Sequence, residues 1–480
     1  MTIAVITFFQ SQTNYGQLLQ AYALQQVLMR MGHYPYIIRY GFHEPLDAVL
    51  KLEIPKPHFE KLLTGTRGGE AKEGKADNRH FDDFRWNHLN LSANAYNCLE
   101  ELQLAPPMAD CYLTGSDQVW AQLLSHEDNQ AFFLNFGLEE TLRISYAPSF
   151  ALKTYPSELD EQLANSLRRL DAVSVREKAG VDICAGVGIS ARWVLDPTML
   201  LQGEYYRRLA SESQTKLPKD YAFVYHVNVG RKDISCWNTF CDYNEKHGIH
   251  VIAVHANGEN QCDVEFLKEA EYMYPSIQDW IRLIDGSRYV LTTSFHGMIF
   301  AILLHKPFFV VLRPDSQFAG NERITTILSE LSLQDYIVKE GMNLQEKMQC
   351  VINWEEVDEK LDTLRRNSTA FLEESLSERN SNSDDAPMPA QVQQFFDWLI
   401  WSLSSERKEN KEKELEISQL KQRQSELLRQ QSEQQKHISS LKADCIRLAV
   451  KGKRHLKVIR GLALSLIIML LLLFMFSLFC

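Results

Sequence analysis

"TIAVITFFQSQTNYGQLLQAYALQQVLMRMGHYPYIIRY", residues 2–40, decides the fold. "TIAVITFF" is an apolar run of strand length. "GQLLQAYALQQVLMRMG" carries apolar residues at helical spacing and ends at Gly32, and "YPYIIRY" is β-rich again. Strand, helix and strand in one short stretch make a βαβ unit, and hence a parallel sheet. Further on, "DCYLTG", "RISYAPS" and "AVSVRE" read as strands that end in polar residues. Residues 220–375 repeat the style. "YAFVYHVNV", "HVIAVHA", "RYVLTTS" and "PFFVVL" read as strands; 233–247, "SIQDWIRLIDGS" and "HGMIFAILLHK" read as helices. The expectation is an α/β chain of two Rossmann-like domains, 1–200 and 201–375, facing a cleft. Ligands of such sheets lie at the carboxyl ends of the strands.

The totals agree with this. A length of 480 residues suggests more than one domain, and a composition of 45% hydrophobic and 24% charged residues is globular. The formal net charge of −11 argues against a nucleic-acid partner. The nine cysteines include no CxxC pair, so neither a disulfide framework nor a zinc site is expected, and a reducing compartment fits. The N-terminal run lacks a charged flank and a cleavage site, so no secretory signal is expected. Residues 50–80 read as a polar insertion and 376–390 as a linker. Residues 391–404 read as a short amphipathic helix. In 405–450, Ile417, Leu420, Leu427, Ile438, Leu441 and Leu448 keep an a/d register, which predicts a coiled coil and a homo-oligomer; a single solvated helix fits as well. Residues 461–480 are uncharged and follow the basic "KGKRHLKVIR". That pattern predicts a C-terminal transmembrane helix with the domains on the cytoplasmic face of the membrane.

Four strand ends carry polar residues suited to chemistry. Asn14, Tyr15, Gly16 and Gln17 open the first helix, where unpaired N–H groups attract anions or hydroxyls and a glycine permits close approach. A plain strand–helix turn would look similar. In "LTGSDQVW", Gly115, Ser116, Asp117 and Gln118 follow a strand, with donors and acceptors for vicinal hydroxyls and Trp120 as a flat face for a sugar ring. An Asp cap beside a packed Trp is the alternative. Arg176 in "SVRE" offers a fork for a carboxylate or phosphate, or pairs with Glu177. In "LTTSFHGMIF", 291–300, the strand delivers Ser294, Phe295 and His296 to the start of a helix. A histidine there can move protons near neutral pH or serve structure alone. Arg313 and Arg323 lie downstream as further cations.

Taken in order, "NYGQLLQAYAL", "LTGSDQVW", "ISYAPSF", "SVRE", "VLDPTMLL", "TTSFHG" and "KPFFVV" resemble the polysaccharide pyruvyl transferase family. The resemblance implies a GT-B-like fold. It also implies transfer of a group derived from phosphoenolpyruvate to a sugar, or to a lipid-linked oligosaccharide, forming a pyruvate ketal across two hydroxyls. Phosphoenolpyruvate would be the donor substrate; no cofactor or metal is implied. Arg176, with Arg313 or Arg323, would grip the donor's carboxylate and phosphate, and His296 would be the general acid. Ser294 stands where the family pattern carries an Arg. Two other readings remain open: a GT-B-type glycosyltransferase using a nucleotide sugar, and a non-enzymatic membrane scaffold for polysaccharide enzymes.

Overall fold

β1 (Thr2–Ile6), α1 (Tyr15–Arg30) and β2 (Tyr34–Tyr40) form the expected βαβ unit, with β1 and β2 paired in parallel. The computed structural model describes residues 1–41, 79–121, 127–227, 235–256, 267, 270–312, 321–339, 342 and 351–377, all within one compact unit, Met1–Gln394. The first half continues with α2 (Phe81–His88), β3 (Leu91–Tyr96), α3 (Leu99–Leu104), β4 (Cys111–Gly115), β5 (Leu142–Tyr146), α4 (Asp160–Leu167), β6 (Ser174–Val175), α5 (Lys178–Gly186), β7 (Arg192–Trp193) and α6 (Gly203–Ala210). Its main sheet runs β3-β2-β1-β4-β5 and is parallel throughout.

The second half contains β8 (Tyr221–Val227), α7 (Ser235–Lys246), β9 (His250–Ala256), β10 (Glu271–Tyr272), α8 (Ile277–Gly286), β11 (Val290–Thr292), α9 (Phe295–Leu303), β12 (Phe308–Val310), α10 (Glu322–Glu330) and α11 (Trp354–Ser377). Its sheet runs β10-β9-β8-β11-β12, again all parallel. The two orders are the same doubly wound arrangement. Each has a switch point beside its central strand, where the chain reverses direction across the sheet and leaves a crevice. This is the GT-B-like α/β architecture.

Burial follows from covering both sheet faces. β1 and β8 read as nearly unbroken apolar runs because no face is left to water. One apolar core extends from Ile3, Val5, Leu18 and Leu24 through to Val224, Ile252, Leu291 and Met298, so the halves share it. A second core fills the other face of the first sheet with Ala4, Ile6, Ile38, Trp120 and Phe133. α11 returns to the first half. Its Ser368 Oγ accepts from Leu195 N–H at 3.0 Å, and Arg365 Nε donates to the Met199 carbonyl at 2.6 Å.

Three expectations change. "AVSVRE" yields only the two residues of β6, paired with β7 outside the main sheet. The reason is local: Ser145 Oγ donates to the Ser174 carbonyl and accepts from Ser174 N–H, both at 2.9 Å, so side chains take the place of ladder bonds. The expected linker begins late, since α11 runs through Ser377. The predicted membrane span is also corrected. Among the described residues no helix is long and apolar enough to cross a membrane, which removes support for the single C-terminal span and the cytoplasmic-face placement built on it. Residues 461–480 themselves lie outside the described residues. So do 378–404, the 405–450 coiled coil with its implied self-association, and most of the 50–80 insertion.

Histidines in the second sheet give the fold a pH dependence. His226 and His255 are register partners on β8 and β9, with ring centroids 6.0 Å apart. Burial, then the neighbouring His255, pushes the His226 pKa down to about 3. The folded state therefore holds it neutral, while the unfolded chain takes up a proton near pH 6.5. Stability is retained above that pH and is lost as pH falls from about 6.5 toward 3, by at most about 1.4 kcal/mol per unit. His226→Gln is expected to flatten this loss. Urea midpoints at pH 7 and pH 5 check it; an equal drop in both proteins would refute the assignment.

Candidate active site

β11 ends at Thr292, and Ser294 caps the helix that follows: its Oγ accepts from Gly297 N–H at 3.2 Å. The cap fixes the first turn of α9 and so the direction of His296, which is 6% exposed. Across from it α1 begins in the same manner, Asn14 Oδ1 accepting from Gln17 N–H at 3.3 Å, while Gln17 Oε1 accepts from Ser11 N–H at 2.7 Å. The two helix starts meet at Gly16. A Cβ built there would lie 2.0 Å from His296 Nδ1. The glycine therefore makes room for the imidazole, and the Nδ1 edge of the ring is packed against α1.

The other edge faces a carboxylate. His296 Nε2 is 3.6 Å from Asp196 Oδ2, ion-pair range rather than a hydrogen bond, and has no hydrogen-bond partner among the described residues. The same Oδ2 accepts from Arg176 Nη1 at 2.9 Å and from Ser116 Oγ at 2.9 Å. Asp196 Oδ1 accepts from Thr198 N–H at 3.0 Å and from Thr198 Oγ1 at 2.7 Å. Burial works to raise the Asp196 pKa, but His296, Arg176 and Thr198 more than offset it and hold the carboxyl well below the usual carboxylate range. The sequence alone does not mark Asp196 as a site residue. Its signal lay in "VLDPTMLL", a Pro-initiated turn capped by its own Asp.

Arg176 is ringed by acids. Besides Asp196, Asp117 Oδ1 lies 3.7 Å from Nη2 and Glu177 Oε1 lies 3.4 Å from Nε. Nη2 has no hydrogen-bond partner among the described residues. Asp117 reaches this position from a left-handed backbone, φ 69°, just after β4, a conformation that short polar side chains tolerate. Glu177, which the sequence offers only as a partner for Arg176, is buried too; burial pushes its carboxyl up, and Arg176, the Ser149 hydroxyl and Arg323 only partly counter this.

Phe295 lies between two guanidinium groups, with Arg176 Cζ at 5.3 Å and Arg323 Cζ at 5.4 Å from the ring centre. With its amide oxygen turned toward Arg323, Gln118 accepts from Nη1 at 2.9 Å and Nη2 at 3.2 Å. Thus Ser116, Asp117, Gln118, Arg176, Phe295, His296 and Arg323 come together, with Gly16 and Ser294 shaping their surroundings.

Other expected residues do different work. Trp120 is fully buried; its Nε1 donates to the Phe132 carbonyl at 2.9 Å and its ring stacks on Phe133, so it cannot serve as an open sugar platform. Tyr15 joins the halves. Its ring stacks on Trp280 at 5.0 Å and its hydroxyl donates to the Pro275 carbonyl at 2.8 Å. Asn14 is committed as a cap. Gly115 packs against Leu24, since a Cβ there would lie 2.4 Å from Leu24 Cδ2. Arg313 lies outside the described residues. The described residues contain no group of three His, Cys, Asp or Glu side chains arranged to hold a metal ion.

The sequence profile of polysaccharide pyruvyl transferases matches residues 14–316, from the cap of α1 to beyond β12. The chain belongs to the polysaccharide pyruvyl transferase family. It is accordingly a transferase, with a polysaccharide acceptor consistent with the family. No curated protein matches the sequence significantly. Solved structures with distant similarity include the UDP-GlcNAc 2-epimerase of Neisseria meningitidis, at 10% identity over 78% of this chain and 99% of that one, TM-score 0.41. The Methanocaldococcus jannaschii UDP-GlcNAc 2-epimerase shows 12% identity over 84% and 100%, TM-score 0.41. The N-terminal domain of Candida albicans trehalose-6-phosphate phosphatase shows 12% identity over 78% and 96%, TM-score 0.44. Likeness this low carries no argument about chemistry; the family profile and the site residues supply it.

Proposed function

We propose that this transferase moves a pyruvyl group from phosphoenolpyruvate to two hydroxyls of a sugar in a polysaccharide or its precursor, forming a pyruvate ketal. One observation carries the reading: an imidazole and a guanidinium converge on the same oxygen of buried Asp196, each with a nitrogen left without a hydrogen-bond partner among the described residues. Arg176 Nη2 is the donor offered to an anionic oxygen, and Arg323 lies across Phe295 as a second cation. His296 Nε2 is the atom offered to the reacting carbon, and ionised Asp196 stabilises the imidazolium that must precede proton transfer.

The chemistry balances without a redox partner. A proton from His296 adds to the methylene carbon, using the C=C electron pair. One sugar oxygen bonds to the neighbouring carbon, and its proton restores the imidazolium. The C–O bond to phosphate then breaks as the second sugar oxygen closes the ketal, and that hydroxyl's proton leaves with the inorganic phosphate.

The test is phosphate release from phosphoenolpyruvate with a diol-bearing sugar acceptor, with the ketal methyl group followed by NMR. His296→Ala is expected to reduce turnover about 10²- to 10⁴-fold. Unchanged turnover would remove the histidine from the mechanism. Thermal stabilisation by a nucleoside diphosphate but not by phosphoenolpyruvate would instead favour a nucleotide-sugar donor.

A further inference from the structure

The three carboxylates around Arg176 are not equivalent. Asp196 accepts four hydrogen bonds and is held ionised. Asp117 keeps some access to water, at 8% exposure. Glu177 has neither advantage. It is 2% exposed, its hydrogen-bonding neighbours are Arg176 Nε, 3.4 Å from Oε1, and the Ser149 hydroxyl, and its Oε2 has no hydrogen-bond partner among the described residues. Arg176 is shared among three desolvated carboxylates and Arg323 offsets only part of the remaining charge, so the penalty falls on the carboxylate with the weakest bonding. The unpaired Oε2 also belongs to the residue that follows Arg176, whose Nη2 is itself unbonded.

We infer that Glu177 is a proton-holding ligand of the donor substrate: as the neutral acid, it donates a hydrogen bond to an anionic oxygen beside the one gripped by Arg176. This rests on the reading of the donor as phosphoenolpyruvate. An ionised Glu177 would repel that donor, whereas a carboxylic acid kept neutral by an apolar setting turns the same side chain into a strong donor to an oxyanion. The upward push of burial on its carboxyl points the same way. Arg176, Arg323 and the Ser149 hydroxyl favour ionisation, while Asp196 and Asp117 compete for Arg176. At the start of α5, Lys178 is paired with Glu330 at 2.6 Å, and Glu322 accepts from Ala179 N–H at 3.0 Å.

The test is calorimetric titration of the full chain from pH 6 to pH 9 with sulfate, which does not itself titrate there, and separately with phosphoenolpyruvate. In the wild type, affinity for both is expected to fall as rising pH ionises Glu177. Glu177→Gln keeps a neutral donor; it should bind within about threefold of wild type at pH 6 and lose that fall. Glu177→Ala should bind about 10- to 100-fold more weakly at pH 6. Parallel pH profiles for wild type and Glu177→Gln would overturn the inference, as would wild-type affinity in Glu177→Ala. If the alanine variant does not fold, the glutamine profile decides alone. Sulfate binding with the expected profile, but no phosphoenolpyruvate binding at any pH, would overturn the donor reading and leave Glu177 as an anion ligand. No binding of either anion would overturn both.

Discussion

Asp196→Asn is expected to destabilise the protein by about 3–5 kcal/mol and to cut turnover by about 10²-fold or more. The substitution is nearly isosteric, so the loss measures charge. The amide still has an oxygen for Ser116 or Thr198, but Arg176, 3% exposed, keeps its cation with its shortest ion pair gone. Breaking one side of a buried pair is costly because the remaining charge stays desolvated. Against a typical total of about 5–15 kcal/mol this is a large fraction. Glu177 limits the damage: at 3.4 Å from Nε it can ionise and take over as partner, which places the cost toward the lower end of the range. The catalytic loss has a separate origin, because the imidazolium of His296 loses the carboxylate 3.6 Å away. The pH dependence follows from the depressed Asp196 pKa. Its contribution to stability is present above the unfolded value near 4 and is lost as pH falls below that, so the variant should lack this part of the acid loss. Urea midpoints at pH 7 and pH 3 and phosphate release check the two effects. Wild-type stability in Asp196→Asn would show that Arg176 does not depend on this carboxylate.

The sheets were legible because strands buried on both faces write themselves as apolar runs, as in β1 and β8, and because polar strand ends break those runs. Arg176 and His296 were legible for the same reason, as charged or titratable groups standing where a strand stops. Asp196 was not. Its value lies in partners brought by the tertiary fold, Arg176 from the end of β6 and His296 from the other half. Locally it reads as the cap of a short turn. Trp120 misled in the opposite direction: a strand-end tryptophan has the right shape for a sugar ring, but an aromatic face buys affinity only if open, and the stack on Phe133 closes this one. Tyr15 likewise looked like a ligand group and is a strut between the halves. A side chain's type was readable at these positions; which neighbour it meets was not.

Gly16→Ala separates the two roles of that position. The sequence already suggested close approach at this glycine, and the structure identifies what approaches: His296 Nδ1, 2.0 Å from where the new Cβ would be, with Cγ at 2.2 Å. Ordinary contact begins near 3.4 Å, so the ring or the helix start must move by well over an ångström. Alanine is the better helix former by about 1 kcal/mol, which opposes the clash. Overpacking costs about 1–3 kcal/mol, and the net is a modest destabilisation. Turnover should suffer more, by about 10²-fold, because the displaced imidazole no longer shares Asp196 Oδ2 with Arg176. A double-mutant cycle with His296→Ala isolates the cause. His296→Ala removes Nδ1 and Cγ but keeps Cβ, 2.7 Å from the new methyl, so Gly16→Ala should then cost less stability than in the wild type and remove no further activity. Full additivity of the two substitutions, in either urea midpoint or turnover, would mean that Gly16 acts through something other than the histidine.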